Sequence, residues 1–219
     1  MPVRSVFILA LAGLGLAACG AIQVKPALSI PHALIKPMPM EVGVFYSPEY
    51  RKFEHRETRW GSDWEIALGE EHMRMTDNLF AQAFTKTTLL AKFPSEGESA
   101  PVTAIIEPRI EQFSFITPRD TGGEFYAVTI KYRLNLDTPT GAPIDSFQFT
   151  GYGTAVGSGM SATKPMMAAT ITAMRDAAAK FLVQFPEQAA VKRMASGQTV
   201  LAAETGLGTS ESEEVAMVD

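Results

Sequence analysis

The stretch whose residue types come closest to a chemical site is Gly151-Tyr152-Gly153-Thr154-Ala155-Val156-Gly157-Ser158-Gly159. Glycines at Gly153, Gly157 and Gly159 could let bare backbone N–H groups cradle a phosphate where a helix begins. A Walker-type loop also needs Gly-Lys-Ser/Thr, and Lys164 is misplaced for it. A dinucleotide fold needs a parallel βαβ unit, whereas the strands around these glycines read as antiparallel. A flexible strand-to-helix connection is the plainer reading.

The other reactive residues form no set. His32, His55 and His72 share no metal-ligand spacing, and Glu70-Glu71-His72 reads as a solvated helix start. A Ser-His-Asp triad lacks the supporting Gly-x-Ser-x-Gly turn. Tyr126 and Tyr132 fall on the apolar side of a strand, where packing is the default. Trp60 and Trp64, with Tyr50 and Phe53, cluster in an irregular segment. Core packing accounts for them, but an aromatic-rich lip is also how partner surfaces are built. The chain therefore reads as non-enzymatic, with no cofactor and no metal.

Cys19 is the only cysteine, so an intramolecular disulfide and a thiolate metal cluster are both out of reach. Before it come Arg4, the apolar run Val6-Phe7-Ile8-Leu9-Ala10-Leu11-Ala12, and Leu16-Ala17-Ala18. A positive start, a short apolar run and a small-residue cleavage site make a secretory signal. The run is roughly a dozen residues, where a membrane span needs about 20. Leu16, Ala17, Ala18 and Cys19 resemble the lipobox of bacterial lipoproteins. That resemblance implies signal-peptidase recognition through the first three and lipidation of Cys19 as the first mature residue. Several acyl chains give stable anchoring where one gives only marginal binding. Gly20 is not the Asp associated with inner-membrane retention, which favours the periplasmic face of an outer membrane.

The 219-residue chain carries a formal net charge of −5 and no basic stripe, so nucleic acid is a poor partner. Removing residues 1–18 leaves about 200 residues, enough for one domain with a sizeable core. Residues 19–39, with Pro26, Pro31, Pro37 and Pro39, read as an extended lipidated tether. Residues 40–195 read as the domain, and the acidic residues 196–219 as a disordered tail. The sequence shows no signal for oligomeric state.

Within the domain, Glu41 to Tyr46 reads as a strand and Glu49 to Arg59 as a turn or short helix. A helix follows from about Glu70 to Lys86, with Met73, Thr76, Phe80, Ala83, Phe84 and Thr87 at helical spacing. Val102 to Phe115 is a strand whose apolar register shifts near Gln112, the mark of a bulge. Pro108 cannot donate to a ladder, which predicts a free edge or irregularity beside it. Tyr126 to Asp137 alternates cleanly, and Ile144 to Ala155 continues the apolar side. A second helix is predicted from about Ser161 to Phe185, with a stripe of Met167, Ile171, Met174, Ala178, Phe181, Leu182 and Phe185, and a short helix from Glu187 to Ala195. The predicted fold is α+β: a mostly antiparallel sheet in β-α-β-β-β-α order, two helices on one face.

Leu68-Gly69, Ile106-Glu107-Pro108-Arg109-Ile110, Phe113-Ser114-Phe115, Ile130-Lys131-Tyr132-Arg133-Leu134, Gly141 and Phe149-Thr150-Gly151-Tyr152-Gly153 carry a further resemblance. It is to small envelope lipoproteins: YajG-like lipoproteins, the amino-terminal domain of TolB, curli-secretion lipoproteins and auxiliary lipoproteins of ABC transport systems. The resemblance implies a scaffold or accessory subunit that binds another envelope protein. Carriage of a lipid or small molecule is the alternative, and would need an apolar cavity between sheet and helices.

Overall fold

A computed structural model describes residues 21–27, 34–157 and 161–198. The elements are β1 (Ile22–Val24), β2 (Met38–Phe45), α1 (Pro48–Arg51), β3 (Glu54–Arg59), β4 (Ser62–Ala67), α2 (Gly69–Ala83), β5 (Phe84–Leu90), β6 (Ala104–Ile116), α3 (Pro118–Thr121), β7 (Phe125–Asp137), β8 (Pro143–Val156), α4 (Thr163–Gln184) and α5 (Ala189–Ala195). Five strands form one sheet in the order β5-β2-β6-β7-β8, and three form a second in the order β1-β4-β3. The fold is α+β.

The long strands follow from alternation. On β7, Val128, Ile130, Leu134 and Leu136 are buried, and β6 and β8 pair with it antiparallel over most of their length. The β6 register shifts between Ile110 and Gln112, so the bulge is real. Pro108 pairs only with Leu134, because β2 meets β6 at Ala104 to Ile106 alone. Pro108 thus sits where β6 has a neighbouring strand on one side only.

The remaining topology departs from the expected order. β2 runs parallel to both β5 and β6, so the sheet is mixed. α2 stops at Ala83, and Phe84 turns extended (φ −121, ψ 153). Thr85, Thr87 and Thr88 supply the β-branching that favours a strand there, although Phe84 and Thr87 also fit a helical repeat. Glu54 to Arg59, expected within a turn or short helix, pairs with Ser62 to Ala67 as a hairpin. Its β3 strand is polar on both sides, which hides a period of two. Ile22–Val24, inside the segment read as a tether, pairs parallel with Trp64 to Ile66, and Val24 is fully buried.

Helices α2 and α4 share one face of the larger sheet. Phe80 and Phe181 meet at 5.3 Å between ring centroids, and Phe181 stacks on Phe185 at 4.9 Å. Phe147, Phe149 and Phe84 complete this aromatic layer. The buried side of α4 shares Met174, Ala178, Phe181 and Phe185 with the predicted stripe but is turned toward the helix's small residues. Met166, Ala169, Thr170, Ala173, Met174, Ala177, Ala178 and Phe181 face inward, while Met167, Ile171 and Leu182 are half-buried. Small residues win that side because Gly151 and Gly153 of β8 lie against it. A Cβ at either would stand 2.1 Å from a helix carbonyl, that of Ala173 or Ala169.

Candidate functional site

The three-stranded sheet covers the same face near the ends of β6 and β7. His55 lies 5.0 Å from the Phe113 ring, and Trp64 lies 5.1 Å from Phe115 and 6.5 Å from Tyr126. Trp60 and Gly61 join β3 to β4 with φ of 54° and 73°, the positive pair of a tight two-residue hairpin turn. A bulky residue in that conformation needs an external hold. Asp120, in α3, supplies it: the Trp60 indole N–H donates to Asp120 Oδ1 at 2.9 Å.

Asp120 gathers further donors. The Thr117 N–H reaches its Oδ2 at 2.6 Å, the Thr117 hydroxyl at 2.8 Å and Arg59 Nη1 at 3.2 Å. Burial would raise the carboxyl pKa, but these bonds outweigh it and hold it at about 2. Arg59 also donates to the Phe115 carbonyl at 2.7 Å and pairs with Glu57. The guanidinium of Arg59 is thereby committed to the fold. Arg119 donates to the Trp60 carbonyl at 3.4 Å.

Between the hairpin tip, the 117–124 segment and the chain leading into α4 lies an open cleft of about 620 Å³. Ile22, Trp60, Trp64, Arg119, Tyr126 and Gly157 are among its walls. Trp60 is 58% exposed. The cleft unites aromatic faces, the guanidiniums of Arg59 and Arg119 and the first residue of β1; it holds no paired acid and base suited to proton transfer.

The residues singled out from sequence separate into three groups. Trp60, Trp64 and Gly157 meet at this cleft, with Trp64 mostly buried beneath it. Tyr50 does not join them. It is buried, its hydroxyl 2.7 Å from Thr76 Oγ1 and its ring stacked on Tyr46, while Phe53 is half-buried at the core margin. The four aromatics therefore form no single lip. Leu16, Ala17, Ala18, Cys19 and Gly159 lie outside the described residues.

The glycine-rich stretch is likewise redistributed. Gly151 and Gly153 belong to β8, where they admit α4, and the Gly157 N–H donates to the Glu124 carbonyl at 2.7 Å. None of these three is an open amide at the head of a helix. Lys180 Nζ donates to the Thr150 carbonyl at 2.7 Å, and Asp176 Oδ2 accepts the Tyr152 N–H at 2.9 Å. Two side chains of α4 thus cover this stretch of the β8 edge.

His72 corrects the reading of a solvated helix start. It is fully buried, with Nδ1 2.9 Å from the Leu68 carbonyl and Nε2 2.7 Å from the Tyr132 hydroxyl. Burial, partly offset by the Leu68 contact, lowers its pKa to about 4, so the ring is neutral. Nδ1–H then donates to Leu68 while Nε2 accepts from Tyr132. His55 contacts Glu57 at 3.1 Å. Among the described residues, no cluster of three His, Cys, Asp or Glu could hold a metal ion.

Sequence reasoning missed Asp120 and Arg119. The Thr117-Pro118-x-Asp120 spacing, a helix-capping signal, was the clue available.

No protein-family model matches the chain. A search of curated proteins finds no match either. Among solved structures, a candidate lipoprotein from Caulobacter crescentus is 13% identical at a TM-score of 0.38, over 59% of this chain and 84% of that one. A hypothetical protein from Chlamydia trachomatis is also 13% identical at 0.38, over 66% of this chain and 96% of its own. Both are partial likenesses of chain path and carry no functional weight. No helix among the described residues is long and apolar enough to cross a membrane.

Proposed function

We propose that this chain is a lipid-anchored accessory lipoprotein of the periplasmic face of the outer membrane, acting by binding envelope proteins and not by catalysis. The observation that carries the reading is the Leu16-Ala17-Ala18-Cys19 sequence, whose last residue stands three positions before a strand built into the body. Replacing Cys19 with Ser should move the protein out of the membrane fraction and abolish fatty-acid labelling. Labelling that persists in the variant, or is absent from the native chain, would overturn the anchor.

The partner surface follows from the two ends of the large sheet. β8 is covered in part by Asp176 and Lys180. β5 is the other end strand, with Thr85 and Lys86 exposed and Leu89 60% exposed. An end strand offers backbone groups for strand addition by a partner. A photo-crosslinker at Leu89 should capture one envelope protein reproducibly in intact cells, whereas one at Tyr152 should not. Adducts to lipid alone from the Leu89 position would count against the accessory role.

Carriage of a ligand draws less support. The apolar space between sheet and helices, beside Leu79, Phe80, Leu134 and Phe181, is about 40 Å³. Ligand pockets are roughly 300–1,000 Å³.

A further inference from the structure

We propose that the end of the molecule bearing Trp60 is a membrane-contact face, seated in the headgroup layer of the same bilayer that holds the lipid anchor. The inference rests on lipidation of Cys19 and adds to it where the folded body sits.

The chain length fixes the first part. Ile22 is three residue steps from Cys19, so the chain between them spans at most about 11 Å fully extended. Ile22 is a wall of the cleft and pairs with Trp64, and the hairpin tip at Trp60-Gly61 lies at the same end of the small sheet. A headgroup layer is itself roughly 5–8 Å thick on each side of the hydrocarbon. Acyl chains attached at Cys19 therefore leave too little chain to hold this end clear of the bilayer.

The surface chemistry fixes the second part. Ile116 ends β6 and is 41% exposed. Phe125 and Val156 are cross-strand partners on the last rung of β7 and β8, 54% and 56% exposed. Ile116 pairs with Ala127, two residues along from Phe125, so these apolar side chains are close neighbours at one end of the sheet. Trp60, on the small sheet over the other face, reaches the same end through its bond to Asp120 in the β6–β7 connection. Exposed apolar groups gathered at one end mark an interaction site, and tryptophan rings are enriched at the headgroup boundary. Arg119, on the cleft wall, adds a cation that a lipid phosphate can accept from, while Asp120 is saturated by its own donors. Glu124, also on the wall, is the opposing charge that keeps the face from being a general anion trap.

The chain has only two tryptophans, one exposed and one buried, which makes the test direct. The full lipidated protein is reconstituted in phosphatidylethanolamine–phosphatidylglycerol vesicles whose acyl chains are brominated near the headgroups. Acylation of Cys19 is confirmed by mass spectrometry on the same sample. Trp60→Phe should lose the bromine-quenched part of the emission, while Trp64→Phe should keep it. Phe125→Ser with Val156→Ser should weaken the quenching in the wild-type tryptophan background, a readout that survives if Trp64→Phe fails to fold. Acylated protein with unquenched Trp60 overturns the contact face and leaves the anchor standing. Trp60 shielded from aqueous iodide yet unquenched by bromolipid also overturns it, in favour of a protein covering this end. Absence of acylation overturns the function reading together with the face that depends on it.

Discussion

Trp60 and Asp120 are 60 positions apart, yet a 2.9 Å hydrogen bond joins the indole of one to the carboxylate of the other. That bond holds the left-handed turn of the hairpin against the head of α3. It links the small sheet to the loop between β6 and β7, the two structures that frame the cleft.

Asp120→Asn should therefore loosen this end. Losing a cap of this kind costs about 1 kcal/mol, with more from the weakened Arg59 contact. The wild-type carboxyl, held at about 2, contributes stability above its ordinary pKa of 3.8 that is lost as pH falls toward 2. Urea titrations should show that acid slope in the wild type and a shallower one in Asp120→Asn.

Two buried groups titrate in opposite senses over the same range. Asp137 has its pKa raised to about 6 by burial and by the Glu107 charge, against the pull of Arg109. Its folded form holds a proton that the unfolded form has released, so its contribution falls as pH rises from about 4 to 6. His72, lowered to about 4, does the reverse: its contribution is present above 6.5 and is lost as pH falls toward 4. The two slopes offset one another in the wild type. Asp137→Asn should raise stability at pH 7 by about 1–3 kcal/mol and uncover the loss on acidification. His72→Gln should uncover the loss on alkalinisation. Denaturation midpoints across pH 4 to 7 check both.

Gly153→Ala should be among the most damaging small substitutions in the chain. Its Cβ would stand 2.1 Å from the Ala169 carbonyl and 2.4 Å from the Ala173 nitrogen, both backbone atoms that cannot swing away. Overpacking of this sort costs about 1–3 kcal/mol, and more where backbone must move. Gly123→Ala, whose Cβ meets only the flexible Thr121 hydroxyl at 3.2 Å, should lie close to wild type in thermal melts.

Lys180→Ala should act on association as well as stability. It removes the donor to the Thr150 carbonyl, the ion pair with Asp176 and the ammonium 4.8 Å from the Tyr152 ring centroid. The lost bonding costs about 1–2 kcal/mol. The bared stretch of β8 should also raise concentration-dependent light scattering.

The β6–β7–β8 meander was legible because one face packs and the other meets water, and even the β6 bulge showed as a slip in the apolar register. The β3–β4 hairpin was not, because His55, Glu57 and Arg59 put polar atoms on its inward side. Their partners, Phe113, Phe115 and Asp120, are some 60 residues away and leave no local trace. β5 was hidden by a helical repeat that runs on past the true end of α2. The inward face of α4 was read correctly at Met174, Ala178, Phe181 and Phe185 but placed too far toward Met167 and Ile171, because alanines fit against Gly151 and Gly153. At the cleft, Trp60 was visible as an aromatic but Asp120 was not, since a capping carboxylate looks the same whether it serves its own helix or a distant indole.

β1 is only three residues long, and the next described strand begins at Met38. If Cys19 carries the proposed anchor, a partner pulling the body outward would load those three rungs first. Their rupture would lengthen the path from the anchor to the main sheet by at most the extended length of the chain from Ile22 to Met38, about 55 Å. The strand would then behave as a mechanical fuse, closed at rest and opening into a leash under load.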